Sequence, residues 1–502
     1  MDSSNSNQTD RPASPSPRQM LFSFSQAGIG SALTLVVLAL LNKVLAVLGG
    51  PNTVGLFSIL RQAEYTGIAL ASSDGDKALV QGISARRGDP TAARYVWNIG
   101  ALMAAITLAE GAALWIAAPW VSLALFNEAS PALVWAVRLV SLPILLAVAS
   151  TWLIAILKSH LAVGKAVLVR TIGGTAGILV AILVARQGGP VALVGLLLAT
   201  EAVGVVAGWA FTRSVKALPP RPAWSWQNAR SDGRAYLSVA GYLLLTGVLR
   251  NLTVLVLRTA FLRGQGLAYA GFFEAAWTVA GKSLLFLLDA IGTYYLPLLS
   301  AARHSDDRPV LLRRLTRLAW AAAAPAVIGL VVLRPLAIEL LYSSEFLQAL
   351  DMLQWMIIGI YFQASAWPFS TAMLAFGDVR SVFRVDAGWL AIFLTGGLIS
   401  LTVLQRPAGV GVAYLAASVV MLTATAAVAV RRYALQLQAR VLITWSLGLL
   451  AVLGATWSTW GETAVDWPQA VLWVAVAGVI GLLTLHRSER RAILDFIRRT
   501  KG

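Results

Sequence analysis

The chain has 502 residues, 58% of them hydrophobic and 13% charged, with a mean hydropathy of +0.73. That composition excludes an ordinary soluble globule, and the absence of cysteine excludes disulfides. A net charge of +17 would suit nucleic acid, but its distribution along the chain points to a membrane instead.

Residues 1–20 are rich in Ser, Asn and Pro and are expected to form a disordered tail. They carry Asp2 and Asp10, and the apolar stretch that follows is too long for a signal-peptide core, so no cleavable signal is expected. From there apolar runs recur to the end of the chain, each long enough to cross a hydrocarbon core of about 30 Å. About fourteen transmembrane helices are predicted, near 22–48, 53–75, 94–117, 133–157, 162–186, 190–212, 235–261, 267–299, 312–334, 351–376, 382–404, 408–430, 440–458 and 468–486. Short Gly/Pro turns such as Gly49-Gly-Pro-Asn-Thr53 and Gly188-Gly-Pro190 join antiparallel neighbours. Leu336–Leu350 is amphipathic and is expected along the outer face. The basic piece Arg487–Arg499 is expected on the anionic inner leaflet.

Counting Lys and Arg sets the topology. With both termini cytoplasmic, the loops on that side hold most of the 40, and the opposite loops hold only Arg186, Arg263, Arg334 and Arg406. This is the bias of the positive-inside rule, so the basic surplus reads as topology and no nucleic acid is expected. The connection 214–234 divides an N-lobe at 21–213 from a C-lobe at 235–431, each with six spans and therefore able to repeat in parallel. Two extra helices at 432–486 and a basic amphipathic tail at 487–502 complete the expected all-α polytopic architecture.

Two segments carry a trace of the repeat. In Leu38–Gly49 a lysine, Lys43, precedes a glycine by six residues, and the next helix opens with Gly55-Leu-Phe. In Leu252–Gly264 an arginine, Arg258, precedes a glycine by the same interval, and the next helix opens with Gly271-Phe-Phe. A cation in hydrocarbon costs roughly 2.5–3.5 kcal/mol on insertion scales, so both are expected to face a central cavity that receives an anion. Depth from the nearest loop adds Arg61, Arg250 and Lys282 to this candidate cargo site. Arg61 also stands three residues from Glu64, close enough for a purely local pair. The planar, forked guanidinium suits a phosphate or diphosphate. Glu64, Glu274 and Glu201 are the intramembrane carboxylates able to take a coupled proton or Na+, and nothing in the sequence chooses among them. Trp277, Tyr294, Tyr295, Tyr361, Trp367 and Trp389 could stack on sugars, although an interfacial belt accounts for any one of them. His160, His304 and His486 are far apart, so no metal, catalytic triad or cofactor is expected, and a chain without a P-loop is not an ATP-driven pump. No enzymatic activity is expected.

At these residues the chain resembles the Wzx-type flippases of O-antigen and enterobacterial common antigen, in the multidrug/oligosaccharidyl-lipid/polysaccharide exporter superfamily. Three stretches carry the resemblance: Asn42–Phe57; Leu257-Arg258 with Gly271-Phe-Phe-Glu274 and Tyr295-Leu-Pro297-Leu-Leu-Ser300; and Leu340–Phe346 with Leu353-Gln354-Trp355. Order and spacing hold from about residue 24 to 430. Glu274, where relatives have an amide, and Lys282 depart from the pattern. The resemblance implies a V-shaped, MATE-like pair of six-helix lobes with two extra helices in a bacterial inner membrane. It also implies alternating-access transfer of undecaprenyl-diphosphate-linked oligosaccharide to the periplasmic leaflet. The cationic cavity it implies maps onto Lys43 and Arg258 by motif. Membrane lipids and polysaccharide polymerase machinery are the partners it suggests, and a monomer is expected. A peptidoglycan-precursor flippase and, more distantly, a multidrug cation antiporter are the alternatives.

Overall fold

Runs of Ala, Leu and Val satisfy their backbone polar groups within one segment, as a lipid environment demands, and in the computed structural model every regular element among the described residues is a helix. Those residues are 17–72, 76–86, 91–186, 188–283 and 308–485, with isolated positions between. The helices are α1 Pro17–Ser72, α2 Asp76–Ser84, α3 Thr91–Phe126, α4 Pro131–Ser159, α5 Val163–Val184, α6 Pro190–Ser214 and α7 Trp226–Gln265. After them come α8 Leu267–Ser283, α9 Arg308–Leu341, α10 Leu350–Ala375, α11 Val379–Leu398, α12 Gly409–Tyr433, α13 Ala439–Ser458 and α14 Trp467–Thr484. Eleven described helices are long and apolar enough to cross a membrane, which makes this a multipass membrane protein. The count of fourteen stays an expectation, since Leu33–Ser72 is one continuous element among the eleven and neither α8 nor α10 is of their number.

That continuity hides a sharp break. Gly50 takes φ 68 and ψ −175, a region open to glycine alone, and Pro51 restarts the helix. The break divides α1 into two legs, 17–49 and 51–72. We call this end of the bundle the Gly50 end. Pro131 and Pro190 open α4 and α6 at positions where a missing N–H costs nothing. Pro143, Pro325 and Pro368 lie inside α4, α9 and α10, within the spans that the sequence assigns to them.

Differences from expectation are local. Helix α1 begins at Pro17, inside the tail read as disordered, and α7 begins at Trp226, inside the stretch read as a loop. Long-range contacts draw α7 into the bundle early: Asp232 accepts from Asn98 at 2.7 Å and from Arg94 at 3.2 Å, and Tyr236 donates to the Ser72 carbonyl at 2.8 Å. Leu336–Leu350 forms no surface helix: α9 continues to Leu341, and a 3-10 turn at Ser344–Ala349 follows. Tyr342 and Phe346 are fully buried with their rings in tilted contact, and Phe346 meets Phe272 edge-on, so the core takes these two side chains while Leu336 and Leu340 stay exposed. Arg487–Arg499 lies outside the described residues.

Small residues set the approach of α5 and α6. A Cβ on Gly173 would sit 2.6 Å from the Thr200 carbonyl, and one on Gly177 2.3 Å from the Thr200 hydroxyl, so α5 and α6 approach to backbone distance. A tighter crossing joins the two halves of the chain near the Gly50 end. A Cβ on Gly55 would lie 2.1 Å from the Leu267 carbonyl oxygen, and one on Gly271 2.3 Å from that of Pro51. The glycines matched by the repeat therefore touch each other. Helices α13 and α14 pack on α9, where Arg334, 1% exposed, donates to the Thr459 hydroxyl at 2.7 Å and to its carbonyl.

Candidate functional site

The Gly55–Gly271 crossing brings the second leg of α1 alongside α7 and α8, and three charged side chains meet just beyond it. Arg61 and Arg258 each donate through Nη2 to Glu274, one to Oε1 and the other to Oε2. Arg258 also donates through Nη1 to the Ser58 carbonyl, and Thr278 donates to Glu274 Oε1 at 3.1 Å. Exposures of 5%, 3% and 2% for Arg61, Arg258 and Glu274 place the cluster out of solvent. Arg61 further covers the ring of Phe57 at 4.9 Å, so the guanidinium is held on one face as well as one edge.

The cluster is charge-rich but donor-poor in partners. Arg61 Nε and Nη1 and Arg258 Nε are buried and have no acceptor. A buried donor left unmade costs about 1–3 kcal/mol. Three of them around one carboxylate form a site that an additional oxygen-rich anion would complete.

The remaining expected residues fall around this centre. Lys43 is half-buried and donates through Nζ to the Glu339 carbonyl at 2.6 Å, while its neighbour Asn42 donates to the Tyr342 hydroxyl at 3.0 Å. The repeat match thus puts Lys43 at the edge of the cluster, tying α1 to the end of α9. Arg250 is exposed, with Asp386 of α11 as its charged neighbour. Asp386 and Arg250 line the same cavity. Lys282 lies on α8, but its side chain falls outside the described residues. Arg61 spans 213 positions to Glu274 in preference to pairing with nearby Glu64. Glu64, 2% exposed, is left with an unpartnered Oε1 and has Glu201 and Arg61 as charged neighbours; Glu201 in turn has Arg170. Gln62 completes the seam, donating to the Asn251 side-chain oxygen at 2.8 Å.

Below Arg258 a cavity of about 330 Å³ opens within the second half. Trp277, Trp367, Trp389 and Tyr414 line it together with Arg250, Gln363 and Asp386. Among the sequence-selected aromatics, Tyr361 instead packs under Trp445 and donates to its carbonyl at 2.8 Å, Tyr295 is buried, and Tyr294 is outside the described residues. Among the described residues no group of His, Cys, Asp and Glu could hold a metal ion.

This helical arrangement is that of known membrane transporters. The structure is similar to the lipid II flippase MurJ in an inward closed conformation, with a TM-score of 0.69 at 13% identity over 94% of this chain and all of that one. It is also similar to an inward-facing multidrug resistance MATE family transporter of the MOP superfamily, with a TM-score of 0.62 at 12% identity over 86% of this chain and 99% of the other. A MOP superfamily transporter from Pyrococcus furiosus, described by the reverse polarity of its binding pocket, gives 0.54 at 13% identity over 86% and 96%. No curated protein matches by sequence. The family model for polysaccharide biosynthesis proteins matches residues 76–351, more than half the chain, and the chain belongs to that family.

Proposed function

We propose that the protein is a Wzx-type flippase, moving undecaprenyl-diphosphate-linked oligosaccharide from the cytoplasmic to the periplasmic leaflet of a bacterial inner membrane by alternating access. One observation carries this reading: two buried arginines share Glu274 where the two halves cross, with three guanidinium nitrogens left without acceptors. Glu274 holds the place that a diphosphate takes. Its two oxygens satisfy two donors, whereas a diphosphate offers oxygens to the rest, and the bidentate fork of arginine matches that geometry. Membership of a polysaccharide biosynthesis family supports a glycan as the remainder of the cargo. The same carboxylate links α8 to α1, so handing its arginines to cargo releases a contact between the halves and couples loading to rearrangement. Both termini lie in the cytoplasm, and Lys43 and Arg250 extend the positive potential around the path. Glu64, with its unpartnered oxygen beside Glu201, is the carboxylate that takes up a coupled H+ or Na+.

Transfer of a fluorescent polyprenyl-diphosphate oligosaccharide across proteoliposomes tests this. R61M/R258M is expected to abolish transfer, R258K to retain part of it, and the triple variant R61M/E274Q/R258M to fold with no unpaired charge and still not transport. Transfer by the triple variant at the wild-type rate would refute the assignment. Mass spectrometry of co-purified lipid identifies the passenger: a peptidoglycan precursor would make the protein a lipid II flippase, and an organic cation an antiporter.

A further inference from the structure

The cavity in the second half has a mixed lining that neither a lipid tail nor a cation would select. Flat aromatic faces alternate with groups of both charges and an amide. Trp277 stacks on Phe393 at 5.7 Å and 8°, and Trp389 meets Tyr414 edge-on at 5.5 Å, so these rings are fixed by their neighbours. Tyr414 donates to Gln363 Oε1 at 2.8 Å, which orients the amide and leaves its nitrogen as a donor. Among the described residues Trp367 pairs with no other ring, and neither its indole N–H nor the Gln363 amide nitrogen has a hydrogen-bond acceptor. Arg250 and Asp386 act on each other across the same space and supply a donor and an acceptor of full charge. A volume of about 330 Å³ falls at the low end of small-ligand pockets.

Position matters as much as lining. Trp277 follows Glu274 by less than one turn of α8, and Arg250 precedes Arg258 on α7 by eight residues, a rise of about 12 Å. The cavity therefore begins where the arginine cluster ends, on the side away from Gly50. A pyranose ring carries an apolar C–H face and a rim of hydroxyls, the two properties that this lining separates.

We propose that this cavity reads the sugar of the cargo: a pyranose ring near the diphosphate lies against Trp367, and its hydroxyls are taken by Gln363, Arg250 and Asp386. The assignment rests on the flippase reading, in that the arginine cluster holds the diphosphate from which the sugar hangs. It makes the second half, and not the crossing, the place where one glycan is distinguished from another.

The test uses full-length protein in lipid nanodiscs and titration calorimetry with two kinds of probe, farnesyl diphosphate alone and farnesyl diphosphate bearing glucose, galactose or N-acetylglucosamine. Wild type is expected to bind at least one sugar-bearing probe more tightly than the bare one. Trp367→Leu and Gln363→Leu should remove about tenfold of affinity from that probe and leave the bare one unchanged, with Trp367→Phe retaining most of the gain. Equal weakening of both kinds, or no preference for any sugar in wild type, would overturn the proposal. Arg258→Met separates the two readings: it should weaken every probe. If it weakens none while Trp367→Leu still affects only the sugar-bearing probe, the diphosphate site fails and the sugar site stands.

Discussion

Glu274 is held by two arginines, and removing its charge alone should be felt more than removing all three. Glu274→Gln leaves two buried guanidiniums facing an amide, a change that costs about 3–5 kcal/mol when a buried pair loses one partner. The expected result is a clear fall in thermal midpoint in detergent, partly restored by millimolar pyrophosphate, which supplies the missing oxygens; R61M/E274Q/R258M should lie nearer wild type. Asp378 gives the complementary prediction outside the spans. Burial would push its carboxyl up, but hydrogen bonds from Ser381, Arg432 and Tyr433, and the Arg432 charge, hold it below the usual carboxylate range. Its contribution is therefore present above the unfolded value of about 4 and lost as pH falls through the lower folded value. Asp378→Asn should flatten the acid limb of a midpoint-versus-pH curve between about pH 5 and 2 while lowering the midpoint at neutral pH. Sequence reasoning could select Arg61 by depth, Arg258 by the repeat match and Glu274 as an intramembrane carboxylate. It could not pair them, because the local partner Glu64 is readable at three residues whereas Glu274 stands 213 positions away.

Among the elements, the crossing of α1 and α8 is where packing is tightest. Gly55→Ala or Gly271→Ala would drive a methyl onto a backbone carbonyl, and the helices must part or bend at a cost of about 1–3 kcal/mol. The native chain has no cysteine, so cysteine pairs placed across the seam can report the separation directly. Slower disulfide formation is expected in either alanine variant, with Gly195→Ala, which meets no neighbour within 4 Å, behaving as wild type. A crossing unaltered by Gly271→Ala would mean that these glycines do not set the approach. The repeat match gave both glycines and both cations their height in the membrane. Azimuth is a different quantity, and it is what separates Lys43, on the Glu339 carbonyl, from Arg258, on Glu274. Amphipathicity misled at Leu336–Leu350 for a related reason: an apolar stripe needs a covering surface, and its period does not say whether lipid or Phe272 provides it.

At the scale of the whole molecule, hydropathy made the all-helical architecture legible, because each span satisfies its own backbone and needs no partner to be recognised. The cavity in the second half was not legible, since five of the described helices contribute to its wall and no local pattern marks their common side. The added pair α13–α14 is clamped by a buried charge: Arg334 donates to Thr459 and the Val331 carbonyl, with Glu462 as its charged neighbour. Arg334→Leu is expected to speed hydrogen exchange around Thr459 and leave the Arg61–Glu274 region unchanged; acceleration of both would mean that the pair is not a separate attachment. The glycine contact between the halves has a genetic corollary. What a methyl at residue 55 strikes is a carbonyl oxygen that every amino acid carries, so no exchange of the side chain at residue 267 can make room for it. Revertants of a Gly55→Ala strain should therefore avoid the point of collision and arise at distant wedges, where a smaller residue lets one half lean away from the other.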